Sequence, residues 1–372
     1  MAEEKKILLE RRLSQHPQIN LATSTSWRMW LVSICAFMVV IQSSLTDSFS
    51  SFFVAFSAVT AAVLTELIIV RMNGRKSTLM DGSAVASAMI LTLLLPNKIF
   101  PLYAAAGAVF AMAVIKHSFG GLGSNWLNPA AGGWLFIRFS WPSGFKSALE
   151  GSVLSRLSES VDRGVTNIQG SPMDILKVDA AEVFASTAQS LETARSVFNE
   201  TIFSALKIQL PSGYMDLLAS GLPGIIADRG GLMLLAGTII IIAYQLNRAW
   251  VPAVFLAVFC VFFRYAGALP FGGMSWSGDV LFALCTGGTL VAAFFLASDP
   301  ATGAKSNIGI LLVSVAAGYL SSLFRSLGAE PYGAVYAVLF INAVLPLLRI
   351  AENVIFYSRR EASLNAGGGR NP

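Results

Sequence analysis

Gly120-Gly121-Leu122-Gly123-Ser124-Asn125-Trp126-Leu127-Asn128-Pro129-Ala130 interrupts apolar sequence and runs directly into a second apolar stretch, Gly132 to Trp141. Glycine and Asn-Pro are poor helix-interior residues. Broken backbone at membrane depth is tolerated only where it is buried in protein or lines a cavity. The segment therefore predicts a site inside a polytopic membrane protein rather than a simple anchor.

Composition agrees. The chain has 372 residues, 55% hydrophobic and 13% charged. A soluble domain carries roughly 25% charged residues, and the mean hydropathy here is +0.65. The net charge of +5 is no nucleic-acid signal, because basic residues in a membrane protein mostly set orientation and meet anionic lipid. Cys35, Cys260 and Cys285 lie in apolar runs without CxxC or Cys/His spacing and read as packing residues. The only histidines are His16 and His117, so neither a metal site nor a histidine-ligated haem is expected. The first apolar run starts near Met29, after a polar segment, and no cleavable signal peptide is expected.

Outward from the break, apolar runs fall near 29–45, 52–71, 83–97, 99–116 and 125–141, then near 231–245, 250–267, 278–298, 306–326 and 332–349. A bilayer crossing takes roughly 20 apolar residues, so about ten crossings are expected, several of them short. The expected fold is an all-α polytopic membrane protein with about ten transmembrane helices in two inverted five-helix halves and an extracytoplasmic insert. Its expected parts are a cytoplasmic N-terminal segment (1–28), a first membrane half (29–141), the insert (142–230), a second membrane half (231–349) and a cytoplasmic tail (350–372). With the N-terminus in the cytoplasm, Arg71, Arg75, Lys76, Lys116, Arg248, Lys305, Arg349, Arg359 and Arg360 all fall on the cytoplasmic side, as the positive-inside bias requires. Five crossings per half is odd, so the halves must be inverted, an arrangement that places sites between them.

Several blocks resemble one family. Met80-Asp81-Gly82-Ser83-Ala84 leading to Leu93-Leu94-Leu95-Pro96, Lys116-His117 followed by the glycine break, Phe294 to Thr302, and Tyr332 to Leu339 with Asn342-Ala343 and Pro346 together resemble the RnfD component of Rnf electron transport complexes. That RnfD/NqrB family also includes the NqrB component of the sodium-pumping NADH:quinone reductase. The resemblance implies a flavoprotein subunit of an ion-translocating oxidoreductase in the bacterial inner membrane. It would pass electrons through FMN while the complex couples ferredoxin:NAD electron transfer to sodium or proton translocation. The implied partners are other Rnf-type membrane and flavin or iron–sulfur subunits and membrane lipid, with no nucleic acid. It also implies FMN esterified to Thr or Ser in a pattern near Ser-Gly-Ala-Thr-Pro-Leu, after the fifth helix. The counterpart here is Asp162 to Met173, where Ser171 stands at the acceptor position before Pro172-Met173, and Thr166 is the second candidate. Gly170, Gln169 and Ile168 depart from the pattern. Ser171-Pro172 equally suits a helix start. A second, non-covalent flavin such as riboflavin is a further implication, with Asn125 and Asn128 as candidate contacts.

Other residues carry two readings each. Glu66, inside the second run, suits an ion pathway or a structural pairing near Arg71. Arg138 suits snorkelling or a flavin phosphate. Asp81 and Asp299 suit capping, or flavin or sodium contacts. Trp126, Trp134 and Trp141 suit interface anchoring. A channel or transporter with inverted repeats is the alternative from another class, and a family member without covalent flavin is the other.

Overall fold

The computed structural model describes residues 24–46, 48–74, 78–118, 120–121, 125, 127–152, 196–197, 199–204, 218, 223–244, 250–266, 280–299, 303–304, 306–327 and 332–367. Helices dominate them, and no strand longer than an isolated bridge occurs among them. Four described helices are long and apolar enough to cross a membrane: α1 (Thr25–Leu45), α2 (Ser50–Met72), α12 (Asn307–Leu327) and α13 (Gly333–Gly367). The protein is thus a polytopic, all-helical membrane protein.

The remaining apolar runs make shorter helices. They are α3 (Ser83–Leu93), α4 (Pro101–Phe110, extended by a π-helical segment Ala111–His117), α5 (Pro129–Ser140), α6 (Pro142–Ala148), the single turn α7 (Ile226–Arg229), α8 (Gly231–Ala243) and α9 (Trp250–Val261, with π-helical Phe262–Ala266). The run expected at 278–298 is broken into α10 (Val280–Cys285) and α11 (Thr289–Val291, with π-helical Ala292–Leu296). Gly287 and Gly288, both at positive φ, separate the two pieces. At 1.5 Å per residue, the 11 residues of α3 reach about 16 Å, roughly half of a ~30 Å hydrocarbon core.

Short helices leave backbone groups that lipid cannot satisfy. Here two interrupted segments satisfy each other. Past α3, Asn97 N–H donates to Gly224 O (2.9 Å) and Ile226 N–H to Leu95 O (3.0 Å). The Asn97 side chain accepts from Gly224 N–H (3.0 Å), and Ser50 Oγ donates to Asn97 O (2.9 Å). Asn97 is fully buried in this junction.

Helix starts follow their local chemistry. Ser24 caps α1 by accepting from Trp27 N–H (3.2 Å), and proline opens α4, α5 and α6, where a missing N–H costs nothing. Packing is close where α4 meets α5. A Cβ on Gly107 would lie 2.2 Å from Ile137 Cδ1, and one on Gly133 would lie 2.6 Å from Gly107 O. Small residues that let helix backbones touch are the usual device inside a membrane, where dispersion and polar contacts replace hydrophobic drive. A largely continuous core runs across all of this, from Cys35 and Val39 on α1 through Leu91 to Leu95 and Trp134 to Ala292, Phe295 and Val335.

Candidate functional site

The break that decides the fold ends in a junction between distant parts of the chain. Asn128 caps α5: its Oδ1 accepts from Ala130 N–H (3.0 Å) and Ala131 N–H (3.3 Å). Its Nδ2 donates to Asp299 Oδ2 (3.0 Å), 171 residues away. One side chain therefore closes two interruptions, the start of α5 and the end of α11. Asn125, 2% exposed, lies just before it. Its Oδ1 is a buried acceptor with no hydrogen-bond partner among the described residues. An orphaned acceptor at membrane depth costs several kcal/mol unless something donates to it. Asp299 was expected to cap or order its own loop. Its contact to Asn128 ties that loop to α5, and Arg349 Nη2 holds the same loop through Gly303 O (2.8 Å).

One substitution separates the two jobs of Asn128. Asn128→Asp keeps an equally good N-cap but sets a second carboxylate against Asp299. Asn128→Ser keeps the cap and removes the donor to Asp299 without adding a charge. Thermal unfolding in detergent should show Asn128→Asp as the more destabilised by about 1 kcal/mol or more. Equal midpoints would mean that a second carboxylate facing Asp299 carries no cost.

A second buried polar cluster occupies the C-terminal end of α2. Glu66 is 0% exposed and Lys116 2%, with Lys116 Nζ 2.6 Å from Glu66 Oε2. Thr78 Oγ1 donates to Glu66 Oε1 (2.5 Å) and His117 Nε2 lies 3.1 Å from Oε2. Lys116 Nζ also donates to Ser83 Oγ (2.7 Å), which in turn donates to Asp81 Oδ1 (2.5 Å). Asp81 Oδ1 accepts from Ser83 N–H as well (2.8 Å), so Asp81 is the helix cap expected of it. The pairing reading of Glu66 is correct in kind, but the partner is Lys116 rather than Arg71. Position brings it there: the π-helical segment Ala111–His117 sets Lys116 and His117 against the last turns of α2. Such segments recur at functional sites.

The other expected residues sort plainly. Trp134 was expected at the membrane interface but is fully buried. It packs on Tyr332 (4.9 Å) and on Tyr336 (5.1 Å) of α13, because α5 lies inside the bundle rather than at its rim. Trp141 stacks on Tyr103 at 4.7 Å. The Arg138 guanidinium sits 5.5 Å over the Phe145 ring. Trp126 and both candidate flavin acceptors, Ser171 and Thr166, lie outside the described residues, as does most of the insert. Sequence reasoning overlooked Asn97, the partnership of Lys116 with Glu66, Asp228, which accepts from Gly287 and Gly288 N–H before α11, and Thr286, whose carbonyl and hydroxyl accept from Arg325. The available signal was an ionisable or amide side chain inside, or at the end of, an apolar run.

Comparison with known proteins adds a consistent picture. The family described as NQR2, RnfD, RnfE matches residues 12–355. The chain is 28% identical over 351 residues to the D component of the proton-translocating ferredoxin:NAD(+) oxidoreductase complex of Clostridium ljungdahlii, covering 94% of this chain and 96% of that one. It is 29% identical to the D component of the ion-translocating oxidoreductase complex of Shewanella amazonensis, over 91% and 95% of the two chains. It is 26% identical to the D component of the Na(+)-translocating ferredoxin:NAD(+) oxidoreductase complex of Acetobacterium woodii, over 78% and 77%.

Proposed function

The chain belongs to the NQR2, RnfD, RnfE family, and from that premise we propose that it is the RnfD-type component of an Rnf complex. In this reading it sits in the bacterial cytoplasmic membrane with both termini inside and about ten crossings in two inverted halves. It works with other Rnf-type subunits to couple ferredoxin:NAD electron transfer to ion movement. The names of its relatives support this, and they differ in the ion they move: protons in one case, sodium in another.

The observation that carries the flavin part is the junction around Asn128. The N3–H of an isoalloxazine is a donor, and Asn125 Oδ1 is a buried acceptor in need of one. The residues fit a non-covalent flavin such as riboflavin. Flavin, when bound, supplies one- and two-electron transfer. The protein's share is position: Asn128 holds the start of α5 and ties it to Asp299, while Asn125 presents its carbonyl into a water-poor interior. The covalent FMN belongs to Ser171, with Thr166 as second acceptor, on the outer insert. Isoleucine, glutamine and glycine at 168–170 favour a second reading, a family member that carries no covalent flavin.

In-gel ultraviolet fluorescence of the denatured chain, co-expressed with its flavin transferase, separates these readings. The expected result is a fluorescent band that Ser171→Ala removes, with an FMN-sized mass on the peptide spanning 157–177. A dark band from the wild-type chain rules out the covalent flavin and leaves only the non-covalent site.

A further inference from the structure

Asn125 Oδ1 is not the only buried polar atom whose complement is missing among the described residues. Trp134 Nε1 and Asn342 Nδ2 have no hydrogen-bond partner there either. Trp134 is 0% exposed and Asn342 5%. Phe145, Tyr332 and Tyr336 surround the Trp134 ring, with centroids at 6.4, 4.9 and 5.1 Å. These contacts pack the indole without giving its N–H an acceptor. Two donors and one acceptor left in this state are costly in a water-poor interior unless a bound group completes them.

Two ties bring the three residues together. At one, Trp134 of α5 packs on Tyr336 of α13. At the other, Asn128 Nδ2 donates to Asp299 Oδ2 (3.0 Å), and Arg349 Nη2 donates to Gly303 O (2.8 Å) on the same loop. From that loop α5 leads away toward Trp134, whereas α13 leads from Tyr336 toward it, so the two helices run antiparallel. Trp134 is six residues beyond Asn128, and Asn342 is six beyond Tyr336, about 9 Å along each axis. Asn342 is therefore level with the start of α5, directly after the break that holds Asn125. It also stands seven residues before Arg349, about two helical turns, and so shares the face that meets the loop.

We infer that Trp134 and Asn342 are further recognition residues for the non-covalent flavin, donating to its ring while Asn125 accepts from it. An oxidised isoalloxazine carries one ring donor, N3–H, set between the C2 and C4 carbonyl acceptors, with N1 and N5 as further acceptors. The protein offers the complement, one acceptor on Asn125 and two donors on Trp134 and Asn342. All three atoms are neutral, and so is the ring they match. Asn125 and Trp134 come from one end of the chain and Asn342 from the other, so the ring would join the two where interrupted helices place a site. The inference rests on the non-covalent flavin reading above and adds to it the two donors that fix the ring's orientation.

The test uses the full-length chain in detergent, produced without its flavin transferase and freed of flavin by dialysis against potassium bromide. Riboflavin binding is followed by quenching of flavin fluorescence, and thermal unfolding is recorded with and without riboflavin. Asn342→Leu and Trp134→Phe should each raise the riboflavin Kd about tenfold, the upper end for one hydrogen bond. In flavin-free protein Asn342→Leu should leave the thermal midpoint unchanged or higher, because it removes a buried donor that has no acceptor and keeps the side chain's size. A lower flavin-free midpoint for Asn342→Leu, whatever its Kd, marks a structural amide and overturns the inference. An unchanged Kd in either variant, while the unaltered chain binds riboflavin, overturns it for that residue. The flavin reading would then stand, and ordered water would be the partner of that donor. An unaltered chain that binds no riboflavin removes the non-covalent flavin reading and this inference with it. If Trp134→Phe does not fold, Asn342→Leu decides.

Discussion

Lys116→Met alone is expected to remove most of the folded chain from the membrane, and Glu66→Gln added to it is expected to bring most of it back. Glu66 is 0% exposed and its Oε2 lies 2.6 Å from the Lys116 ammonium. Breaking a buried pair by deleting one partner costs about 3–5 kcal/mol, whereas replacing both with neutral groups is often close to neutral. A loss of that size is a large part of the roughly 5–15 kcal/mol that holds a typical protein together. Thr78 and His117 remain near Glu66 in the single variant, but a hydroxyl does not balance a charge at this depth. The measurement is the fraction of monodisperse protein after detergent extraction, with its thermal midpoint. Equal yields of the single and double variants would show that the pair carries no net electrostatic cost, and that the carboxylate reaches water by another route.

The second large effect is expected at the α4–α5 contact, where the two glycines should behave differently. A Cβ on Gly107 meets mainly the Ile137 side chain, Cδ1 at 2.2 Å and Cγ1 at 2.5 Å, with Gly133 O at 3.1 Å, while one on Gly133 meets the carbonyl oxygen of Gly107 at 2.6 Å and Ala111 Cβ at 3.0 Å. A side-chain tip can turn away or be trimmed, and backbone cannot. Gly107→Ala should therefore be partly recovered by Ile137→Val, which removes Cδ1 and leaves Cγ1 to turn aside. Gly133→Ala should cost toward the top of the ~1–3 kcal/mol range for overpacking, with no recovery from that change. Pushing α5 away also moves its first residues, so Gly133→Ala should weaken retention of any non-covalent flavin near Asn125. Thermal midpoints of the four variants in one detergent decide the matter. Recovery of Gly133→Ala by Ile137→Val would mean that the helices shift as rigid bodies to make room.

How far the amino-acid sequence foretells this structure depends on the residue. The interruption at Gly120 to Pro129 was legible because Asn-Pro and clustered glycine have one physical meaning inside apolar sequence. The capping roles of Asn128 and Asp81 follow from the same local chemistry. Trp134 was misread because aromatic residues suit both an interface and a core, and only the neighbours on α13 decide. The partner of Glu66 was hidden for a related reason. Arg71 is five residues away in the chain, but the backbone geometry of Ala111–His117 delivers Lys116 instead, and no pattern in the sequence announces a π-helical turn. Asp228 and Arg325 sit at the ends of apolar runs, where charged residues are ordinary, and only folding shows that they serve the same helix start.

The junction past α3 also bears on how the chain is made. Its donors and acceptors at Leu95 and Asn97 are answered by Gly224 and Ile226, which leave the ribosome more than a hundred residues later. Until then the end of α3 has polar backbone that lipid will not accept. Residues 29–141 are therefore not a self-sufficient insertion unit. These groups find their partners only once synthesis has passed Ile226. Synthesis thus has an interval in which α3 is made but its end is still unsealed.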